Sequence, residues 1–161
     1  MSEDTPTDPV IVSHVPMVLR RRIRWGDCDP AGIVYTPRFT HFCIEAMETW
    51  FGEITGTSWY HLGRDMGLGT PLVHSEIAYK HPLWPGDVLD VTILSEGLGR
   101  ATFGLKFEGR NGEGRHCFTG RFTAAFIRKS TMKAIGIPAD FRTRMEAYAQ
   151  ALATLSAENP S

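Results

Sequence analysis

Two carboxylates, Asp27 and Asp29, stand one residue apart in WGDCDPAGIVYTPRF (25–39), just ahead of a pattern that opens a helix. An acidic pair in a turn most often caps backbone amides or forms an Asx-turn. The D-x-D-x-x-G spacing also resembles the start of a calcium loop. That reading fails, because Ala31 occupies the fifth position and Arg38 the twelfth, where a bidentate Glu is required. Catalysis is the third reading, and it favours Asp29. Pro30 disfavours the helical region for the residue before it and so holds Asp29 extended. Helix N-termini present unpaired N–H groups with partial positive charge, which can hold a carbonyl oxygen as negative charge develops on it. A carboxylate facing such a carbonyl can attack it or activate a water against it. The chemistry would be acyl transfer to water.

The helix that must supply those amides is legible. Thr36 is a good N-cap residue and Pro37 suits the first helical position, where a missing N–H costs nothing. Phe39, Phe42, Cys43, Ala46, Met47 and Trp50 then share one helical face, and Gly52 and Gly56 lie close to its expected end. So wide and aromatic a face needs a sheet to cover it. Residues 17–25 alternate, with Leu19, Ile23 and Trp25 on one side and Arg20, Arg22 and Arg24 on the other, a strand that Arg21 interrupts. Further strands are expected over 70–80, 87–96, 100–110 and 115–129, as a meander with glycine turns at EGLG (96–99) and NGEG (111–114). A last amphipathic helix is expected from near Pro138, carrying Phe141, Met145, Tyr148 and Leu152. A strand, a long helix and four strands make an α+β domain. The expected organisation is a flexible tail over 1–15 and a single domain over 16–155.

Composition narrows the function classes. The chain has 161 residues, a hydrophobic share of 42%, a charged share of 22% and a formal net charge of −1. Those values fit an ordinary globular protein with no global field toward nucleic acid or an anionic membrane. The alternating arginines 20, 22 and 24 lack the wider basic footprint of a nucleic-acid reader. Cys28, Cys43 and Cys117 are odd in number and far apart, and no Cys/His cluster has zinc spacing. The N-terminal MSEDTPTDPV shows no signal pattern and no apolar run is long enough to span a bilayer. A reduced, cytoplasmic protein without a structural metal is expected.

GDCDPAGIVY followed by a buried helix resembles the hotdog-fold thioesterases, and most of all the 4-hydroxybenzoyl-CoA thioesterase family. GTPLV (69–73), PGDVLDVTI (85–93), Arg100 after the turn and KAIGIPADF (133–141) are similar to that family in the same order, covering about residues 17–141. The resemblance implies a hotdog fold, one long helix wrapped by a five-stranded antiparallel sheet, in dimers or tetramers that pair their sheets. It implies hydrolysis of an aromatic acyl-CoA thioester, of 4-hydroxybenzoyl or benzoyl type, without a metal or other cofactor. The catalytic carboxylate falls on Asp29, as nucleophile or general base, and the polarising amide falls on Thr36, with Tyr35 beside it. Arg100 and Lys133 align with basic positions suited to the phosphates of coenzyme A, and Arg128 and Lys129 extend that patch. A solvated strand end is the plain alternative for the last two. Glu45 stands where an acid in the family's helix reaches the acyl pocket, although a solvated pair with His41 explains it equally.

The stretch TGTSWYHLGRDMGL (55–68) aligns poorly and is expected to line the acyl pocket. Substrate choice therefore stays open between an aromatic acyl-CoA and a short or medium-chain acyl-CoA or acyl-carrier thioester. A non-catalytic module that binds acyl-CoA is the reading from a different class, and retention of Asp29 beside the helix start argues against it. A hotdog dehydratase would use a histidine in another local pattern.

Overall fold

A computed structural model describes residues 7–160, and residues 1–6 of the tail expected over 1–15 lie outside the described residues. The elements in chain order are β1 (Val10–His14), β2 (Met17–Arg22), a 3-10 turn (Trp25–Asp27), α1 (Thr36–Thr55), α2 (Trp59–Asp65), β3 (Leu68–Gly69), β4 (Leu72–Tyr79), β5 (Val88–Leu98), β6 (Thr102–Asn111), β7 (His116–Ala125), β8 (Ile127–Arg128), β9 (Lys133–Ala134) and α3 (Ala139–Glu158). A six-stranded sheet has the order β1-β2-β5-β6-β7-β4, and β3-β8-β9 form a second, three-stranded one.

Several expectations need correction. Val10–His14 were assigned to the tail, yet they form β1, which pairs antiparallel with β2 and raises the sheet from five strands to six. The meander holds for β5, β6 and β7 only, because β4 joins the far side of β7. The link over 80–87 has eight residues and two prolines, too long for a hairpin, and the amides of Lys80 and His81 both donate to the Cys117 carbonyl on β7. Arg21 does not interrupt β2. The buried positions are Met17, Leu19, Arg21 and Ile23, so Arg21 is in phase with the inner face, whereas Trp25 has left the strand and is 80% exposed.

By contact density the described residues divide into two compact units. The first holds residues up to Ala46 together with Glu76–Ile93 and Phe107–Gly120. Here the opening turns of α1 pack Phe39 edge-on against Phe118 and Tyr79 with ring centroids 5.2 Å apart. Two glycines let the layers close up. A Cβ on Gly109 would lie 2.1 Å from the Phe118 ring, and one on Gly120 would lie 2.8 Å from Cys43 Sγ.

The second unit holds Met47–Ser75, Leu94–Lys106 and the chain from Arg121 onward. Its core is aromatic. Trp50 stacks on Phe103 at 5.8 Å, while Phe51 meets Phe103, Phe126 and Phe141 at 5.9–6.2 Å. The α3 helix buries Phe141, Met145 and Tyr148, the i, i+4, i+7 stripe read from sequence. Phe126 breaks the long strand expected over 115–129, because its amide turns to the Ala101 carbonyl and hands the chain to β8.

Candidate active site

The turn after β2 is closed by its own backbone. A bridge joins Cys28 to Val34, the Asp29 amide donates to the Ile33 carbonyl at 3.0 Å, and the Gly32 amide donates to the Asp29 carbonyl at 2.9 Å. Gly32 sits at φ 82°, which a residue with a Cβ adopts only at a cost. The two acids meet different fates in this turn. Asp27 is 1% exposed and saturated. Its Oδ2 accepts from the Arg24 amide at 2.8 Å and lies 3.7 Å from Arg21 Nη2, and its Oδ1 accepts from Arg38 Nε at 3.0 Å and also from Nη2 of the same side chain. Asp29 is half-buried, and its Oδ1 accepts from the Ala31 amide at 2.8 Å, an Asx-turn. Its other carboxylate oxygen has no hydrogen-bond partner among the described residues.

Tyr35 and Thr36 follow at once. The Tyr35 amide donates to the Asp27 carbonyl at 2.9 Å, and its side chain is 52% exposed. Thr36 is the first residue of α1, so its N–H has no intrahelical partner. It borders a cavity of about 340 Å³ with Ile33, Val34, Phe39, Tyr79 and Lys80. Asp29, Tyr35 and Glu45 are not among its lining residues. Glu45 is held elsewhere, with Oε2 accepting from the buried Arg21 at 2.5 Å, while His41 Nδ1 lies 3.3 Å from Arg38 Nη1. Cys28, between the acids, is no rival nucleophile. Burial first, then the charges of Asp27, Asp29 and Asp87, push its thiol above the usual range and keep it protonated at neutral pH.

The other expected residues lie in the second unit. Arg128 and Lys133 are direct partners across β8 and β9. Arg100 sits in the turn between β5 and β6, with its carbonyl accepting from the Ile137 amide at 2.9 Å and its Nη1 3.7 Å from where a Cβ on Gly136 would sit. Lys129 lines a cleft of about 430 Å³ with Trp59, Leu62, Leu68, Pro71 and Ile127. Residues of the 55–68 stretch thus do border a cavity, through α2. The structure therefore gathers Asp29, Tyr35, Thr36 and Glu45 in one unit and Arg100, Arg128, Lys129 and Lys133 in the other.

Sequence reasoning missed Arg21 and Arg38 as partners of the acid pair. The available signal was the phase of Arg21 within Met17, Leu19 and Ile23. Among the described residues no group of three or more His, Cys, Asp or Glu is placed to hold a metal ion, and no helix is long and apolar enough to cross a membrane.

A profile of the thioesterase-like superfamily matches residues 23–145, which hold the acid turn, α1 and most of the sheet. The chain belongs to that superfamily. The chain is similar to a 1,4-dihydroxy-2-naphthoyl-CoA hydrolase of Synechococcus elongatus, 35% identical over 89 residues. That alignment covers 55% of this chain and 65% of the relative, just short of two thirds of its length. The crystal structure of a thioesterase superfamily protein from a Jannaschia species is 31% identical, with a TM-score of 0.75 over 91% of this chain and 97% of that one. The 4-hydroxybenzoyl-CoA thioesterase of a Pseudomonas species shares the fold at 24% identity, with a TM-score of 0.72 over 79% of this chain and 96% of that one. The superfamily fold, the hotdog, is thus the fold of this chain.

Proposed function

We propose that the chain hydrolyses the thioester of an aromatic acyl-CoA, releasing the free acid and CoA. The observation that carries this reading is the asymmetry of the acid pair. Asp27 is spent on structure, and Asp29 keeps an oxygen available in a turn that leads directly into the start of α1. A thioester carbonyl set over the Thr36 amide gains a donor where its oxygen becomes negative. Asp29 then acts from the opposite side, as nucleophile or as general base toward water. As nucleophile it forms an acyl anhydride and expels the CoA thiolate, and water then cleaves the anhydride. As base it takes a proton from the water that attacks the carbonyl, and the same thiolate leaves.

The relatives named for 1,4-dihydroxy-2-naphthoyl-CoA and 4-hydroxybenzoyl-CoA support an aromatic acyl group. Arg100, Arg128, Lys129 and Lys133 supply cations for the phosphates of CoA. The edge strand β4 supports assembly into at least a dimer. Seven of its eight residues are exposed, Val73 at 60% and Tyr79 at 51%, and a long bare edge invites pairing with a second copy.

A thiol-release assay tests the reading across 1,4-dihydroxy-2-naphthoyl-, 4-hydroxybenzoyl-, benzoyl- and short aliphatic CoA esters. The aromatic esters should give the higher kcat/KM. Release from none of them would end the proposal, and a clear preference for aliphatic esters would end its substrate class. A single turnover in 18O-labelled water gives unlabelled product acid only when the Asp29 carboxylate attacks and water then cleaves the anhydride at the Asp29 carbonyl. Label in the acid means that water attacked the acyl carbonyl, either of the thioester or of the anhydride, and trapping of the anhydride during turnover separates those two.

A further inference from the structure

Around the acid turn lies a buried ion cluster that thioester chemistry does not itself require. Arg21 is 4% exposed on the inner face of β2, Asp27 is 1% exposed, and both are charged groups that cost free energy to remove from water unless paired. Arg21 pairs with both Asp27 and Glu45, and Arg38 pairs with Asp27. Both guanidinium groups also approach the Phe42 ring, at 4.6 Å and 5.8 Å from its centroid. Asp27 is therefore gripped from two elements. Strand β2 and its extension hold Oδ2 through Arg21 and the Arg24 amide, and the first turn of α1 holds Oδ1 through Arg38.

We infer that Arg38 is a positioning residue, which sets the distance between the Asp29 carboxylate and the start of α1 by clamping Asp27. Asp29 lies two residues beyond the clamped acid, Arg38 lies two residues beyond Thr36, and the backbone bond from Tyr35 to the Asp27 carbonyl joins the same two segments. Without the Arg38 fork, that single backbone bond and the internal bonds of the turn remain to hold the acid against the helix. Arg38 touches Asp27 and not the reacting atoms, so it acts through the geometry of its neighbours. The inference rests on Asp29 being the acting carboxylate.

The side chain of Arg38 is 32% exposed, so Arg38→Gln is tolerable to the fold. Amide hydrogen exchange tests the clamp without reference to turnover. In Arg38→Gln, exchange at Ala31 and Gly32 should speed up by about tenfold or more, a fall of about 1.4 kcal/mol in the free energy of local opening, while amides of β6 keep wild-type protection. Unchanged exchange at Ala31 and Gly32 overturns the clamp. On the best CoA ester, kcat should fall by about 10²-fold with KM near wild type, as for an acting group displaced by about 1 Å. Arg38→Lys should recover part of that loss, because a single charge reaches Asp27 without the fork. The double variant Asp27→Asn/Arg38→Gln should be no slower than Asp27→Asn alone, since Arg38 works through Asp27. An unchanged kcat in Arg38→Gln, or fully additive losses in the double variant, overturns the positioning role. If exchange rises as stated and the wild type cleaves no CoA ester, the clamp stands and the thioesterase reading falls.

Discussion

At Asp29 the ionised oxygen, and not the shape of the side chain, is what the proposed chemistry needs. Asp29→Asn keeps the Asx-turn to Ala31, because the amide oxygen still accepts, and loses the charge. Turnover should drop by at least about 10²-fold, the usual contribution of a general base, with the melting temperature close to wild type. Near wild-type kcat in that variant would remove Asp29 from the reaction. Charge reversal at Arg100 or Lys133 belongs to another class of effect. Phosphate contacts bind ground and transition states alike, so Arg100→Glu or Lys133→Glu should raise KM for CoA esters more than it lowers kcat. A simple thioester without the nucleotide should be hydrolysed at the wild-type rate by the same variants, and equal losses on both substrates would exclude these cations from CoA binding.

Elements carry their own prediction through the close approach of β6 and β7. Gly109 leaves room for the Phe118 ring, and a Cβ there would stand 2.1 Å from it. Gly109→Ala must therefore push aside a buried aromatic that also packs on Phe39 of α1. The expected cost is about 1–3 kcal/mol, typical of overpacking, read from urea unfolding. A variant as stable as wild type would mean that the ring moves freely. The course of α1 was visible in the sequence, since the period of Phe39, Phe42, Cys43, Ala46, Met47 and Trp50 and the Thr36–Pro37 pair are both local signals. The place of β4 was not. Alternation identifies a strand, but nothing within 72–79 names β7 as its neighbour.

For the whole molecule the prediction is assembly. Light scattering at micromolar concentration should give at least twice the mass of one chain, and an active monomer would contradict the pairing of β4 edges. Mixing Asp29→Asn chains with Arg100→Glu chains asks whether acid and cations come from different copies. Regained activity in the mixed oligomer means that sites are shared, and none means that each chain completes its own. The pocket stretch shows the limit of family resemblance at this scale. Residues 55–68 matched no pattern well, yet they form α2 and border the 430 Å³ cleft, because a short helix between α1 and β3 is set by what it covers.

The sequence alone determined the features that depend on neighbours a few residues away. These are the acid turn with Pro30, the helix expected from Pro37 and found from Thr36, the hairpins from β5 to β7 and the stripe of α3. Tertiary structure alone decided the difference between two identical acids. Asp27 is the structural one because Arg38, eleven residues on, and Arg21 meet it, and Arg21 is itself balanced by Glu45, 24 residues away. Local periodicity reports which face a residue occupies. A buried charge is settled by the partner that reaches it from another element, and that pairing exists only once the strand and the helix have packed.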